Sequence, residues 1–247
     1  MSIDHHLHRF LLGPTYLLRY WYARPSPEPA LMALVLPGLL SATQVQHCLE
    51  STEILPHMCE LAESCGGPCA GMLCDELEGA AHDLATPPNG HLSPSGGDTG
   101  LARHVVLYLH RDGFLQAHCP LMWAELRAAM GAGGERRWRI RAVDLSVRCI
   151  ELHTYVSGAG LLAHDHRDSG SELSMSVLLS DPSSFGGGHF ITYNSAGEPI
   201  AHALQKGDAV LFRSEDRHNV AVVEWGMRQT LVVELWAGTP NVKDRFT

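Results

Sequence analysis

The second half of the chain consists of short apolar segments at regular spacing, and this spacing limits the possible fold more than any other feature. From Val143 onward, segments rich in Val, Leu, Phe and Tyr alternate with turns that contain Gly, Pro and Asn. Such a pattern is typical of an all-β sandwich or barrel. The predicted strands are 103–110, 147–156, 173–180, 188–193, 209–212, 219–223 and 228–236.

Two helices are predicted to flank these strands. Ser41 and Gln44 have the form of a capping box, and apolar residues recur after them at helical spacing, which predicts a helix near 42–64. A second helix is predicted over 120–130, because Pro stands at its start and Gly131 just past its end. The fold class is therefore predicted to be mainly β with flanking helices, in the α+β sense.

A change of composition divides the chain near residue 100. Residues 86–100 are rich in Pro, Asn, Gly and Ser, which predicts a mobile loop. We therefore expect an N-terminal extension over 1–100, which contains the first helix, and a second domain over 101–247.

Three side chains in the β region form a recognised set of metal donors. His166 and Asp168 are two residues apart in a His-Arg-Asp triplet, and His218 follows fifty residues after Asp168. Two imidazoles and one carboxylate hold Fe(II) on one face and leave the opposite positions open. A triplet alone is a weak signal, since a second His-Arg-Asp occurs at 110–112, which we interpret as a coincidence.

The surroundings of the later triplet distinguish it from the earlier one. Tyr155 precedes it by eleven residues, a run of three glycines follows at 186–188, Gly207 and Asp208 precede a predicted strand, and Arg228 lies ten residues beyond His218. In this order the residues resemble the Fe(II)/2-oxoglutarate dioxygenase superfamily, in particular its prolyl 4-hydroxylase and lysyl hydroxylase-like branch. The resemblance extends over about 105–236.

The resemblance implies a fold, a metal site and a cosubstrate. The strands would form a double-stranded β-helix, the jelly-roll form, braced from outside by the helix near 42–64. His166, Asp168 and His218 would bind Fe(II), and the catalytic set would include Arg228. Domain 101–247 would then be the dioxygenase domain, using O2 and 2-oxoglutarate with ascorbate as reductant.

Three residues are expected to contact the cosubstrate. By the resemblance, Arg228 grips the far carboxylate of 2-oxoglutarate, for which a guanidinium is suited because it forms two parallel hydrogen bonds. Strand alternation puts Thr230 on the same face as Arg228, where its hydroxyl can add a further bond. Tyr155 either does the same or fills the barrel.

The implied reaction is hydroxylation of a C–H bond. The substrate would be a prolyl or lysyl residue of a peptide at the level of the family, and a free amino acid, nucleic-acid base or lipid stays an alternative. In this superfamily the substrate is selected by loops that differ from one member to another, whereas the iron site is shared.

Two other classes of function compete with this reading. A jelly-roll binding module without activity has no need of both a complete triad and Arg228. A zinc hydrolase is suggested by His164, because His164, His166 and Asp168 match the start of a metallo-β-lactamase-type motif, but Ser169 stands where that motif has a further His. His164 is then expected near the ligands or at the mouth of the site.

The cysteines give no sign of a structural metal. Cys59, Cys65, Cys69 and Cys74 lie close together, but they lack paired Cys-x-x-Cys spacing, so free thiols are expected.

Composition excludes some partners. A net charge of −9 argues against nonspecific nucleic-acid binding, which requires a basic surface. The sequence contains no apolar run long enough for a membrane span, and no convincing signal peptide or retention signal, so a cytoplasmic location is the default expectation. The oligomeric state is not indicated by the sequence.

Overall fold

A computed structural model describes residues 33–52, 104–163 and 165–242. Three expectations lie outside these residues: the four cysteines from Cys59 to Cys74, the loop near 86–100, and the position of His164. The described cysteines, Cys48, Cys119 and Cys149, are buried and form no disulfide with one another.

Seven of the ten strands in the described residues form one large antiparallel sheet. The strands are β1 (Ala33–Leu36), β2 (His104–Tyr108), β3 (Ser146–Val156), β4 (Leu173–Leu178), β5 (Phe185–Gly187), β8 (Ala209–Arg213) and β10 (Val223–Trp236). They lie in the order β1-β8-β4-β10-β3-β2, and β5 pairs with the first part of β10.

A smaller sheet covers one face of the large one. It has the order β7-β6-β9, formed by β6 (Phe190–Tyr193), β7 (Pro199–His202) and β9 (His218–Val220). Phe190 of the small sheet packs on Phe212 of the large sheet, with 5.6 Å between ring centroids. Two antiparallel sheets packed in this way confirm the predicted jelly-roll architecture.

Alternation along the central strands separates two cores. On β4 every residue is buried. Leu173, Met175 and Val177 face the helices, and the alternate residues Ser174, Ser176 and Leu178 face the small sheet. The core between the sheets is called the inner cluster here. It contains Ala33, Tyr155, Ala159, Leu178, Phe190, Leu204, Val210, Phe212, Val220 and Val223.

The first helix, α1 (42–52 where the described segment ends), begins at the predicted capping box. The backbone N–H of Gln44 donates to Ser41 Oγ at 3.2 Å, and the N–H of Ser41 donates to Gln44 Oε1 at 2.9 Å. Val45 and Cys48 of α1 are fully buried against the large sheet.

The helix predicted over 120–130 is longer than expected. A short helix, α2 (Phe114–His118), leads into α3 (Pro120–Trp138), so the predicted end at Gly131 was wrong. Two of the glycines that α3 continues through, Gly133 and Gly134, lie against the sheet: a Cβ on Gly134 would come within 2.7 Å of Leu173 Cδ1. It ends where Arg139 adopts a left-handed backbone with φ 61°.

Strand β1 was not predicted, and it lies before the predicted domain boundary. It nevertheless pairs with β8 in the large sheet, with Ala33 opposite Phe212 and Leu36 opposite Ala209. The boundary near residue 100 falls outside the described residues and stays a prediction. None of the helices in the described ranges is long and apolar enough to cross a membrane.

Candidate metal centre

The three predicted ligands come from two segments that the fold brings together. His166 and Asp168 lie on the irregular segment between β3 and β4, and His218 is the first residue of β9. The backbone N–H of His218 donates to the carbonyl of His166 at 3.1 Å, which ties the two segments to each other. Ligands fifty residues apart in sequence are thus neighbours in space.

The donor atoms converge on one point. Asp168 Oδ1 lies 3.3 Å from His166 Nε2 and 3.5 Å from His218 Nε2, and one ligand atom from each residue lies within 4.8 Å of the others. Adjacent donors around an ion with bonds of about 2.1 Å are separated by about 3 Å. The spacing and the chemistry of the donor set therefore fit a six-coordinate metal such as Fe(II).

Hydrogen bonding selects the His218 nitrogen that faces the metal position. His218 Nδ1 lies 3.1 Å from the carbonyl oxygen of Asp216, so Nδ1–H donates there and the Nε2 lone pair is left for a metal. The Asp216 carboxylate is itself held by Arg213 at 2.6 Å. The imidazole is therefore oriented before any metal binds.

Burial and charge shape the titration of the ligands. Burial works to raise the pKa of Asp168, but the His218 imidazole and hydrogen bonds from His166, His218 and Ser174 outweigh it and hold that pKa well below its usual range. Burial works to lower the pKa of His218, and the Asp168 carboxylate nearby raises it instead. Asp168 is therefore ionised and ready to bind a cation at neutral pH.

The second oxygen of Asp168 is occupied. Ser174 Oγ donates to Asp168 Oδ2 at 2.6 Å, and Ser214 Oγ lies 2.9 Å from Ser174 Oγ. The backbone N–H of Asp168 also donates to the carbonyl of Ser214 at 2.9 Å. Only Oδ1 is directed at the two histidines.

Arg228 is a buried cation on the inner face of β10. It is 2% exposed, and burial lowers its pKa to about 10, so it stays charged at neutral pH. Arg228 Nη1 donates to Thr230 Oγ1 at 3.3 Å, and the guanidinium lies 5.9 Å from the ring centre of Tyr155. Across the described ranges no carboxylate forms an ion pair with it, which suits a site for an anionic ligand.

The glycine run at 186–188 leaves room for this guanidinium. Gly188 has φ +61°, and a Cβ there would come within 2.9 Å of Arg228 Cδ and 3.0 Å of Val223 Cγ2. A side chain at this position would therefore displace Arg228.

Metal ligands and buried arginine both border the inner cluster. The His218 ring packs against Phe212 at 4.6 Å and against Phe190 at 5.7 Å between centroids. Tyr155, which lies opposite Arg228 in the pairing of β3 with β10, belongs to the same cluster. The two halves of the site thus share one apolar interior.

Tyr155 is linked to a buried polar row along β3. Its hydroxyl lies 3.5 Å from His153 Nδ1, and His153 Nε2 lies 2.8 Å from Glu151 Oε2. Glu151, Glu234 and Cys149 form a second group of side chains whose potential ligand atoms lie within 4.8 Å of one another. Sequence reasoning missed Glu234, although the alternation that identified Thr230 also places Glu234 on the inner face.

The triplet at 110–112 serves the fold. His110 is buried, and its Nδ1 accepts the backbone N–H of Ile150 at 3.0 Å. Asp112 is exposed. Among the described residues, the groups arranged to hold a metal do not include this triplet.

Comparison with solved structures places the fold in one class. The chain has the fold of the Fe(II)/2-oxoglutarate oxygenases, including prolyl hydroxylases, as the sequence resemblance predicted. A prolyl hydroxylase from Trichoplax adhaerens, solved in complex with a hypoxia-inducible factor peptide fragment, matches with a TM-score of 0.54 and 12% identity, over 83% of this chain and 84% of that one.

A second structure of this class carries a different activity. SnoK, a non-haem α-ketoglutarate-dependent carbocyclase from nogalamycin biosynthesis, matches with a TM-score of 0.50 and 11% identity, over 85% of this chain and 84% of that one. No protein-family model and no curated protein matches the sequence.

Proposed function

We propose that the protein is an Fe(II)- and 2-oxoglutarate-dependent hydroxylase. The observation that carries the proposal is the pairing of two features in one interior. A His-Asp-His set has the spacing of a metal site, and Arg228 is a buried cation without a carboxylate partner among the described residues. A binding module without activity requires neither feature.

His166, Asp168 and His218 would hold the iron. When bound, Fe(II) with O2 and 2-oxoglutarate supplies the oxidation: one oxygen atom enters the substrate C–H bond, and the other enters succinate as CO2 leaves. The contribution of the chain is to position these groups and to keep water out.

Arg228 and Thr230 would bind the far carboxylate of 2-oxoglutarate. Arg228 Nη1 already donates to Thr230 Oγ1, so both side chains point to one place. A buried guanidinium without a counter-charge costs stability, and the carboxylate of the cosubstrate would supply that counter-charge. Tyr155 lies beside the guanidinium and is proposed as a third contact. Phe190 and Phe212 pack against the His218 ring, and there they would exclude water from that side of the metal position.

A prolyl or lysyl residue of a peptide is the proposed substrate. This choice rests on the motif resemblance, and it is supported only at the level of fold by the similarity to a prolyl hydroxylase. A net charge of −9 suits a peptide with basic residues.

The test is a turnover screen. Purified protein is given Fe(II), O2 and 2-oxoglutarate together with pools of prolyl- and lysyl-containing peptides and, separately, metabolites, and succinate release is measured. We expect peptide-stimulated succinate release that is lost in Asp168→Ala. Binding of iron and 2-oxoglutarate without any succinate release would favour the binding module.

Ascorbate is proposed as the reductant that keeps iron in the ferrous state. If turnover sometimes oxidises the metal without substrate, progress curves without reductant should slow within the assay and recover when ascorbate is added. Linear curves without any reductant would contradict this part of the proposal.

A further inference from the structure

We propose that Ser174 and Ser214 form a relay of two hydroxyl groups that keeps Asp168 a one-oxygen ligand, with Oδ1 turned to the histidines and Oδ2 withheld from the metal. The inference rests on the proposed metal site and adds two positioning residues to it. Ser174 lies on β4 and Ser214 directly follows β8, so both belong to the large sheet or its edge.

The directions of the two hydrogen bonds follow from the number of protons. An ionised carboxylate only accepts, so the single hydroxyl proton of Ser174 is donated to Asp168 Oδ2, at 2.6 Å. The contact of 2.9 Å between the two serines must then be donated by Ser214. A chain of donors that ends on a charge is stronger than its bonds taken singly.

Ser214 holds Asp168 in a second way. Its backbone carbonyl accepts the Asp168 N–H at 2.9 Å, so the same residue fixes the backbone and, through Ser174, the rotation of the carboxylate. The relative exposure of both serines is 0%, so bulk water does not compete for these bonds. The carboxylate is therefore oriented by the protein before a metal arrives.

The chemical consequence concerns the open positions of the metal. A carboxylate that binds through both oxygens occupies two positions, whereas one that binds through Oδ1 alone occupies one. An enzyme that must bind both a chelating keto acid and O2 opposite three protein ligands needs the second arrangement. Hydrogen bonds to ligating carboxylates also raise metal affinity, typically by about 10- to 100-fold.

The experiment uses Co(II) as the probe, added anaerobically to the metal-free full-length protein. Dissociation constants and visible absorption bands are compared for the wild type, Ser174→Ala, Ser174→Thr and Ser214→Ala. Ser176→Ala is the matched control, because Ser176 is a buried serine two residues further along the same face of β4. Thermal unfolding without metal reports whether each variant is folded.

We expect Ser174→Ala to weaken Co(II) binding by about 10-fold or more and to alter the absorption bands, because Asp168 becomes free to rotate. Ser214→Ala should change the Co(II) affinity and the absorption bands in the same direction but by less. Ser174→Thr, which keeps the hydroxyl, and the control Ser176→Ala should resemble the wild type in both measurements. A merely structural role of Ser174 would change the unfolding temperature alone.

Wild-type affinity and bands in folded Ser174→Ala would overturn the inference while leaving the metal site intact. If Ser174→Ala does not fold, Ser214→Ala decides in the same way. A wild-type protein that binds no Co(II) would overturn the proposed metal site, and the inference with it.

Discussion

Arg228 carries a charge that the described residues do not neutralise with a carboxylate. Two other arginines of the β region have partners of their own: Arg213 pairs with Asp216 at 2.6 Å, and Arg217 lies 4.5 Å from the ring centre of Tyr193. A buried charge without a partner costs stability, and such a cost is expected where the partner is a ligand. Arg228 is therefore the residue at which cosubstrate affinity should be most sensitive.

Replacing Arg228 by Ala should weaken 2-oxoglutarate binding and leave iron binding unchanged. Loss of a charge-assisted, bidentate contact costs about 2 to 4 kcal/mol, which is about thirty-fold to a thousand-fold in affinity. Arg228→Lys should retain part of the affinity, since it keeps the charge but loses the fork geometry. The measurement is titration of 2-oxoglutarate into Fe(II)-loaded protein, followed by charge-transfer absorption.

The matched control for this prediction is Arg141→Ala, because Arg141 is an exposed arginine that pairs with Asp144 on the surface. It should bind 2-oxoglutarate as the wild type does. Wild-type affinity in Arg228→Ala would show that another group, such as Arg213, Arg217 or Tyr155, anchors the carboxylate.

The two His-Arg-Asp triplets allow a direct comparison of metal ligands. Asp168→Ala removes a buried donor and should abolish stoichiometric Fe(II) binding and turnover, as should His166→Ala and His218→Ala. Asp112→Ala changes an exposed residue of the other triplet and should leave both unchanged. Metal analysis of the desalted proteins provides the readout, and metal loss in Asp112→Ala would mean that the wrong triplet was chosen.

At the residue scale, the period of a strand allowed the position of one side chain to be predicted from the sequence. Thr230 was placed beside Arg228 by alternation alone, and its hydroxyl does accept from that guanidinium. The same alternation places Glu234 on this face, although no role was predicted for it. The contact of Ser174 with Ser214 was beyond reach, since nothing in the spacing of two serines forty residues apart predicts that β4 and the end of β8 lie side by side.

At the scale of elements, the long segments with strong periodicity were predicted well, and three of the short strands were missed. Strands β3, β4 and β10 fall close to their predicted ranges, although β10 starts earlier, at Val223. Strands β1, β5 and β7 have three or four residues each, and β5 is Phe-Gly-Gly, which carries no strand signal. Their pairing is imposed by neighbouring strands.

The glycines of α3 illustrate how packing overrides a local signal, and they give a matched pair of variants. Gly131 has only Ala142 Cβ near an added Cβ, at 4.0 Å, so Gly131→Ala should raise the free energy of unfolding by up to about 1 kcal/mol. Gly134→Ala should lower it, because its Cβ would lie 2.8 Å from the backbone oxygen of Ile140. Urea unfolding of both variants is the measurement, and stabilisation of Gly134→Ala would contradict this account.

For the whole molecule, the jelly-roll was predictable because its signature is distributed over many strands, so that errors in single elements do not change the class. The extent of the folded unit was less accessible from sequence. Helix α1 and the turn before it bury Leu39, Leu40 and Val45 in the core between the helices and the large sheet. Strand β1 forms one edge of that sheet.

A fragment of residues 101–247 should therefore not fold stably. It would lose β1 and three buried side chains that each contribute about 1.5 to 3 kcal/mol, against a total stability of about 5 to 15 kcal/mol for a domain. Circular dichroism of the fragment during heating tests this. A cooperative transition at the temperature of the intact chain would support an independent domain that begins near residue 101.

Strand β10 is hydrogen-bonded on both sides over residues 230–235, to β3 on one side and to β4 on the other. Its amide protons should exchange with solvent deuterium only when the whole molecule unfolds, whereas those of 165–171, on the segment between β3 and β4, should exchange through local opening. Mass spectrometry of the deuterated protein resolves the two rates. Arg228, the anchor proposed for the cosubstrate, would then stay in place while the segment that bears His166 and Asp168 opens locally. Metal exchange and cosubstrate release would therefore be kinetically separate events.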